Sequence, residues 1–173
     1  ELWNGTSWTE VNNLNTARTR LAGAGTSTSA LGFGGAPGPL AVTESWNGTN
    51  WTEVNDLATA RTQLAGNVAN NTAALAYGGN APPLTAATEE WNFTANTVIQ
   101  AAWSSGGALS TGRESMSSAG TQTAALAAVG GRVGTPGGST AVESYNGTSM
   151  SGAPSLNTAR QYAGGCGTQT AAI

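Results

Sequence analysis

The ten residues Ser45-Trp46-Asn47-Gly48-Thr49-Asn50-Trp51-Thr52-Glu53-Val54 decide the fold, because they restate Leu2-Trp3-Asn4-Gly5-Thr6-Ser7-Trp8-Thr9-Glu10-Val11 nearly residue for residue. In both, two short aromatic-bearing stretches flank an Asn-Gly pair. Asn-Gly in that setting is a strong hairpin signal, and it predicts a type I′ turn in which both residues take positive φ. A third copy starts at Glu90-Trp91-Asn92 and a fourth at Ser144-Tyr145-Asn146-Gly147-Thr148.

Other features recur in step with these. Thr-Ala-Arg ends at Arg18, Arg61 and Arg160, with Thr-Gly-Arg at Arg113, and paired glycines close an apolar run at 34–35, 78–79 and 130–131. Successive copies lie 43 to 54 residues apart, counted from Trp3 through Trp46 and Trp91 to Tyr145. That is the length of one four-stranded propeller blade. Each unit divides into a strand after the Arg (Leu21-Ala22-Gly23-Ala24), a second ending at the paired Gly (Ala73-Ala74-Leu75-Ala76-Tyr77), a third (Thr43-Glu44-Ser45-Trp46) and a fourth (Trp51-Thr52-Glu53-Val54). The first two are mostly Ala, Gly and Leu, and the last two carry Trp3, Trp8, Trp46, Trp51, Trp91 and Trp103. Small residues suit the crowded inner part of a wedge-shaped ring and aromatics its wider outer part.

The expected fold is therefore all-β: a β-propeller region of four-stranded antiparallel blades, with three complete blades and half a blade at each end. The units run over 1–16 (half), 17–58, 59–110, 111–157 and 158–173 (half). The region is expected to be part of a longer chain whose further blades close the ring, since closure removes exposed sheet edges. A second copy of the chain is the next possibility, and the two halves give only a small four-bladed ring. In the third unit, residues 92–103 replace the short hairpin with a longer connection.

The paired Gly after an apolar strand, the aromatic in strand three and the Trp in strand four resemble the kelch repeat over essentially the whole chain. The wording here, with Gly-Thr-Gln-Thr-Ala-Ala at 120–125 and 167–172 and Ser-Leu-Asn-Thr-Ala-Arg at 155–160, is similar to kelch-like repeats in structural proteins of environmental bacteriophages and in bacterial surface proteins. The resemblance implies a virion, extracellular or cell-surface setting.

Composition excludes much else. The 173 residues hold six Arg, nine acids and no His, for a net charge of −3, so a basic nucleic-acid footprint is missing. No apolar run approaches the roughly 20 residues of a membrane span, and no cofactor or metal is expected. Without His, the triads that use it as a base are unavailable, as are the ligands of kelch-like copper oxidases. Ten of the fifteen charged residues are locked to the repeat: Arg18, Arg61, Arg113 and Arg160 share one position, Glu1, Glu44, Glu89 and Glu143 another, and Glu10 and Glu53 a third. A group present once per blade serves packing, so each Arg is expected to bond carbonyls or a strand-three Glu; the alternative is a ring of Arg at the opening that attracts an anion. Arg20, Asp56, Glu90, Glu114 and Arg132 fall outside the pattern. Glu89 and Glu90 are adjacent on a strand, so they point to opposite faces and cannot work as a pair. Cys166 aligns with Ala24 and Ala119 and is expected to fill a small inner slot.

A meander puts the strand two-to-three loops on one face, and these loops vary most between copies. Pro37, Pro39, Asn80, Pro82, Pro83, Arg132 and Pro136 are the candidate binding residues there. The repeat residues Arg18, Arg61, Arg113, Arg160, Glu44, Glu89, Glu143, Trp46, Trp51 and Trp91 are assigned to structure. The functional expectation is a non-enzymatic structural or binding propeller. Its partners are protein subunits of a larger assembly, or a host surface glycan or protein. The alternative is an accessory binding module of a larger extracellular carbohydrate-active enzyme.

Overall fold

The computed structural model describes residues 1–67, 70–93, 102–131 and 137–173. The described residues form strands β1 (Leu2–Trp3) and β2 (Trp8–Thr9); β3 (Ala22–Thr26), β4 (Ser29–Phe33), β5 (Thr43–Trp46) and β6 (Trp51–Val54); β7 (Ala65–Gly66), β8 (Ala73–Tyr77), β9 (Thr88–Asn92) and β10 (Ala102–Gly106); β11 (Ser117–Thr121), β12 (Ala124–Ala128), β13 (Val142–Tyr145) and β14 (Met150–Ala153); and β15 (Gly167–Thr168) with β16 (Ala171–Ala172). They make three four-stranded antiparallel meanders, each in chain order, preceded and followed by a two-stranded sheet. The described residues are all-β.

The strand two-to-three registers repeat: Ala30 faces Trp46 and Ala125 faces Tyr145. First strands adjoin one another along the chain, β3 beside β7, β7 beside β11 and β11 beside β15. Small residues make that approach possible: Ala22, Ala24, Ala65 and Ala119 are buried there. The aromatics fill the space farther out. Trp103 sits between two sheets, its ring 5.0 Å from Phe33 and 5.5 Å from Trp91, centroid to centroid. Its indole N–H donates to Thr43 Oγ1 at 3.1 Å. Trp46 and Trp91 donate to the Ser27 and Asn71 carbonyls, tying strand three to the first hairpin of the same sheet.

The Asn-Gly hairpin differs from the expected type I′ turn. Trp46 pairs with Trp51, leaving four residues between strands. Only the glycine is left-handed, as at Gly5, Gly48 and Gly147. Asn47 Oδ1 accepts the backbone N–H groups of Thr49 at 2.9 Å and Asn50 at 2.8 Å, and Asn4 and Asn146 do the same in their copies. The asparagine acts through its side chain, closing an Asx turn, not through its backbone dihedrals. In the third unit Asn92 pairs with Ala102. Residues 94–101 of that longer connection lie outside the described residues.

Neighbouring units are stapled by repeated backbone bonds. Gly35 N–H donates to Arg61 O, Gly79 N–H to Arg113 O and Gly130 N–H to Arg160 O, at 2.9, 2.7 and 3.2 Å. The residue before each donor is left-handed, Val129 (φ +56°) in the third case and a glycine in the first two. Gly34 (φ +69°) and Gly78 (φ +61°) are left-handed, and a Cβ would lie 2.7 Å from Arg61 O and 2.5 Å from Arg113 O. The leucines four residues before Arg61 and Arg113 dock on the preceding loop, Leu57 N–H to Ala41 O and Leu109 N–H to Ala86 O, and both residues are 4 % exposed.

Candidate functional site

The repeated arginines are structural in geometry. Arg18 Nη2 meets Glu44 Oε1 at 3.2 Å, and Arg61 pairs with Glu89 and Arg113 with Glu143 in the same way. The other η nitrogen donates to carbonyls at the ends of strands two and three: Gly78 and Ala87 for Arg61, Val129 and Ala141 for Arg113. Each glutamate also accepts from the linker leading into its unit, from Asn15 N–H at 2.7 Å for Glu44, Ala58 N–H at 2.7 Å for Glu89 and Ser110 N–H at 2.8 Å for Glu143. Burial lowers the Arg18 and Arg61 guanidinium pKa, while Glu44 and Glu89 oppose that shift. These groups are sealed and offer nothing to a ligand. Arg160 is different. It is exposed and has no carboxylate partner among the described residues.

Glu89 and Glu90 do point apart. Glu89 is buried against Arg61, while Glu90 accepts from the Tyr145 hydroxyl of the next sheet. Burial, with Glu90 adding to it, pushes the Tyr145 hydroxyl up to about 12, and burial raises Tyr77 as well. Cys166 is exposed instead of occupying a buried slot. Its counterparts Ala24 and Ala119 are covered by the first strand of the following sheet, and no described residue covers Cys166 in that way. Among the described residues, no three His, Cys, Asp or Glu side chains come together to hold a metal. Among the described residues no helix is long and apolar enough to cross a membrane.

The loop residues singled out from sequence lie on the surface. Pro37, Pro39, Pro82 and Pro83 are exposed and Asn80 is half-buried; Arg132 and Pro136 lie outside the described residues. The loops are anchored beside the start of each unit, through the paired bonds Thr19–Ala36 and Thr62–Asn80. Directly after those anchors stand Arg20 and Gln63.

These two belong to a set that sequence reading missed. Arg20, Gln63, Ser115 and Tyr162 each stand two residues after a repeat arginine, and all four are left-handed, with φ of 53° to 56°. Their backbones form a relay: Gln63 N–H donates to Arg20 O at 3.0 Å, Ser115 N–H to Gln63 O at 2.8 Å, and Tyr162 N–H to Ser115 O at 3.1 Å. Together with Leu21, Leu64, Met116 and Ala163 they line an open concavity of about 480 Å³ where the units converge. Leu64 and Met116 are buried and form an apolar floor. Above them stand a guanidinium, an amide, a hydroxyl and a phenol, and Gln63 Nε2 donates to Ser115 Oγ at 3.1 Å. The backbone fixes the geometry, so the side chain at this position is free to differ, and in four copies it differs four times. That contrast is visible in sequence as Arg-Thr-Arg-Leu, Arg-Thr-Gln-Leu, Arg-Glu-Ser-Met and Arg-Gln-Tyr-Ala. Four polar groups of mixed donor and acceptor character over an apolar floor can hold a hydroxyl-rich or peptide-like surface; no nucleophile–base pair is assembled there.

Fold and site together define a repeated-sheet all-β chain with a polar concavity at the convergence of its units. No protein-family model matches the chain, and no curated protein matches its sequence. Among solved structures it is similar to that titled "Structure of YjhT", with a TM-score of 0.60 at 16 % identity over 72 % of this chain. The matched part is 42 % of that protein's length, and the likeness is one of fold.

Proposed function

We propose that this chain is a kelch-like β-propeller region that acts without catalysis, binding a protein or glycan partner on the face that carries the concavity and the Pro-rich loops. The setting is a virion, as a tail, fibre or decoration component, or another exposed surface. The repeated four-stranded sheets fit a propeller, and the kelch-like wording of the repeat supports the setting. One observation carries the binding reading: Arg20, Gln63, Ser115 and Tyr162 hold one backbone geometry with four different side chains, all facing one concavity. Groups kept for packing converge on one residue type, as the arginines and glutamates of this chain do, whereas groups kept for recognition diverge. The loops at 36–40 and 80–84 are anchored next to this ring and diverge in the same way.

The test is an array of neutral and carboxylated glycans probed with the 173-residue chain and with Arg20→Asn and Tyr162→Asn. Asparagine tolerates the left-handed backbone, so the fold is kept. The expected result is a glycan signal that falls at least about tenfold in the variants, while the urea midpoint moves by less than roughly 0.5 kcal/mol equivalent, as for surface changes. A signal indifferent to both substitutions and to exchange of the loops at 36–40 and 80–84 overturns the assignment of the site.

A further inference from the structure

Two of the Asn-Gly pairs stand inside whole four-stranded sheets, Asn47-Gly48 between β5 and β6 and Asn146-Gly147 between β13 and β14. Both asparagines are exposed. In each, two backbone N–H groups hold the side-chain carbonyl: Thr49 and Asn50 at 2.9 and 2.8 Å from Asn47 Oδ1, and Thr148 and Ser149 at 3.0 and 2.9 Å from Asn146 Oδ1. All four donors lie beyond the glycine, so each side chain is folded back across the glycine's own peptide nitrogen. Neither Nδ2 has a hydrogen-bond partner among the described residues.

This arrangement favours one reaction. Two N–H groups at such distances from a carbonyl oxygen stabilise negative charge as it develops there, as an oxyanion hole does. The nucleophile nearest to that carbonyl is the nitrogen of the next residue, and glycine brings no Cβ to crowd it. The group that has to leave is Nδ2, which nothing described retains and which faces water. Asn70 supplies a contrast within the same chain. Its Oδ1 accepts from Thr72 and Ala73 N–H at 2.9 and 3.1 Å, so the carbonyl is held in the same way. The residue after it is Asn71, however, which carries a Cβ and whose N–H donates to Ser29 Oγ at 3.4 Å.

We propose that Asn47 and Asn146 are modification sites, deamidated spontaneously in the folded chain. The glycine nitrogen gives up its proton to solvent and bonds to Cγ, while the Cγ–Oδ1 π pair moves onto Oδ1 between its two N–H donors. Collapse of that oxyanion breaks the Cγ–Nδ2 bond and expels ammonia, which carries off a proton, leaving a five-membered succinimide. Water then cleaves one imide C–N bond, at Cγ to give Asp or at the main-chain carbonyl carbon to give isoaspartate. Each event consumes one water, releases one ammonia and adds one negative charge to a chain of net charge −3. The Asp product keeps the turn, because its carboxylate accepts the same two N–H groups in charge-assisted bonds. The hairpins lie at the other end of the strands from the Pro-rich loops, so failure of this proposal leaves the binding reading standing.

The test is incubation of the folded 173-residue chain in neutral buffer at physiological temperature, beside the same chain in urea. Peptide mapping by mass spectrometry reads the amide-to-acid increment at each asparagine. The expected result is conversion of Asn47 and Asn146 in the folded chain at least about tenfold faster than of Asn70. Asn47→Ser, whose hydroxyl also closes such a turn, abolishes conversion at that position and leaves Asn146 at its parent rate. Asn47→Asp, the finished product at one site, unfolds at a urea midpoint no lower than the parent's. Conversion of Asn47 and Asn146 no faster than of Asn70, or conversion that takes place only in urea, overturns the proposal. A lowered midpoint for Asn47→Asp overturns the claim that the hairpin carries its product.

Discussion

Glu89→Gln tests the stapling logic most sharply. The perturbation removes one negative charge from a side chain in contact with Arg61, which is 0 % exposed, and with Ala58 N–H. Arg61 keeps its carbonyl partners Gly78 and Ala87, but these are dipoles, and a buried guanidinium with no counter-charge is left in the protein. Breaking a buried pair from one side costs about 3–5 kcal/mol. At roughly 2–4 °C per kcal/mol for a chain of this size, the melting temperature falls by about 6–20 °C. Replacing both partners with apolar groups, Arg61→Met with Glu89→Leu, costs less than the sum of the single changes by at least about 2 kcal/mol, because no charge remains to strand. Urea unfolding followed by Trp fluorescence reads all of these, since Trp46 and Trp91 are buried. Glu10→Gln, at an exposed repeat position, is the control and moves stability by less than about 0.5 kcal/mol. A loss below about 1 kcal/mol for Glu89→Gln, or additivity in the double change, refutes the claim that the pair is sealed and coupled.

Two further outcomes follow from the geometry. Gly78→Ala forces a Cβ to within 2.5 Å of Arg113 O at φ +61° and destabilises by about 2 kcal/mol or more, whereas Gly38→Ala, left-handed but with open space around it, costs about 1 kcal/mol; thermal melts separate them. Stability declines as pH rises from about 10 to about 12. The unfolded chain ionises its tyrosines near 10 while folded Tyr145 keeps its proton to about 12, so the contribution is whole below about 10 and is lost progressively as pH rises to about 12. Tyr145→Phe flattens that part of the profile in pH-dependent unfolding, and an unchanged slope counts against the buried hydroxyl.

Much of the architecture is legible because the chain states it four times. Thr43–Trp46, Trp51–Val54 and Ala73–Tyr77 emerge as strands with the bounds the pattern predicts, since alternation and turn residues are local signals. The arginine–glutamate partnership is legible for a related reason: two charges that recur in step, in a chain with few charges, require each other. Asn47 is legible as a turn residue but not in its mode of action, because Asn-Gly serves both a two-residue I′ turn and a four-residue Asx loop, and the strand register decides between them. The concavity is the least legible part. Arg, Gln, Ser and Tyr carry no preference for left-handed backbone. What holds Arg20, Gln63, Ser115 and Tyr162 there is the relay between units, a long-range fact. Cys166 is exposed where its alignment to Ala24 and Ala119 predicts burial, because alignment carries over position but not the neighbouring sheet that buries it.

The stapling bonds also impose a timetable. Each unit looks backward through its glutamate, as Glu44 does to Asn15, and forward through its paired glycine, as Gly35 does to Arg61. On a ribosome the backward bond is available as soon as strand three emerges, but the forward one from Gly35 waits for Arg61, 26 residues later. A unit's backward anchor is thus complete in the sequence before its leading edge can be capped. The unit just finished always exposes one unsatisfied edge, and the next linker is the first segment to reach it.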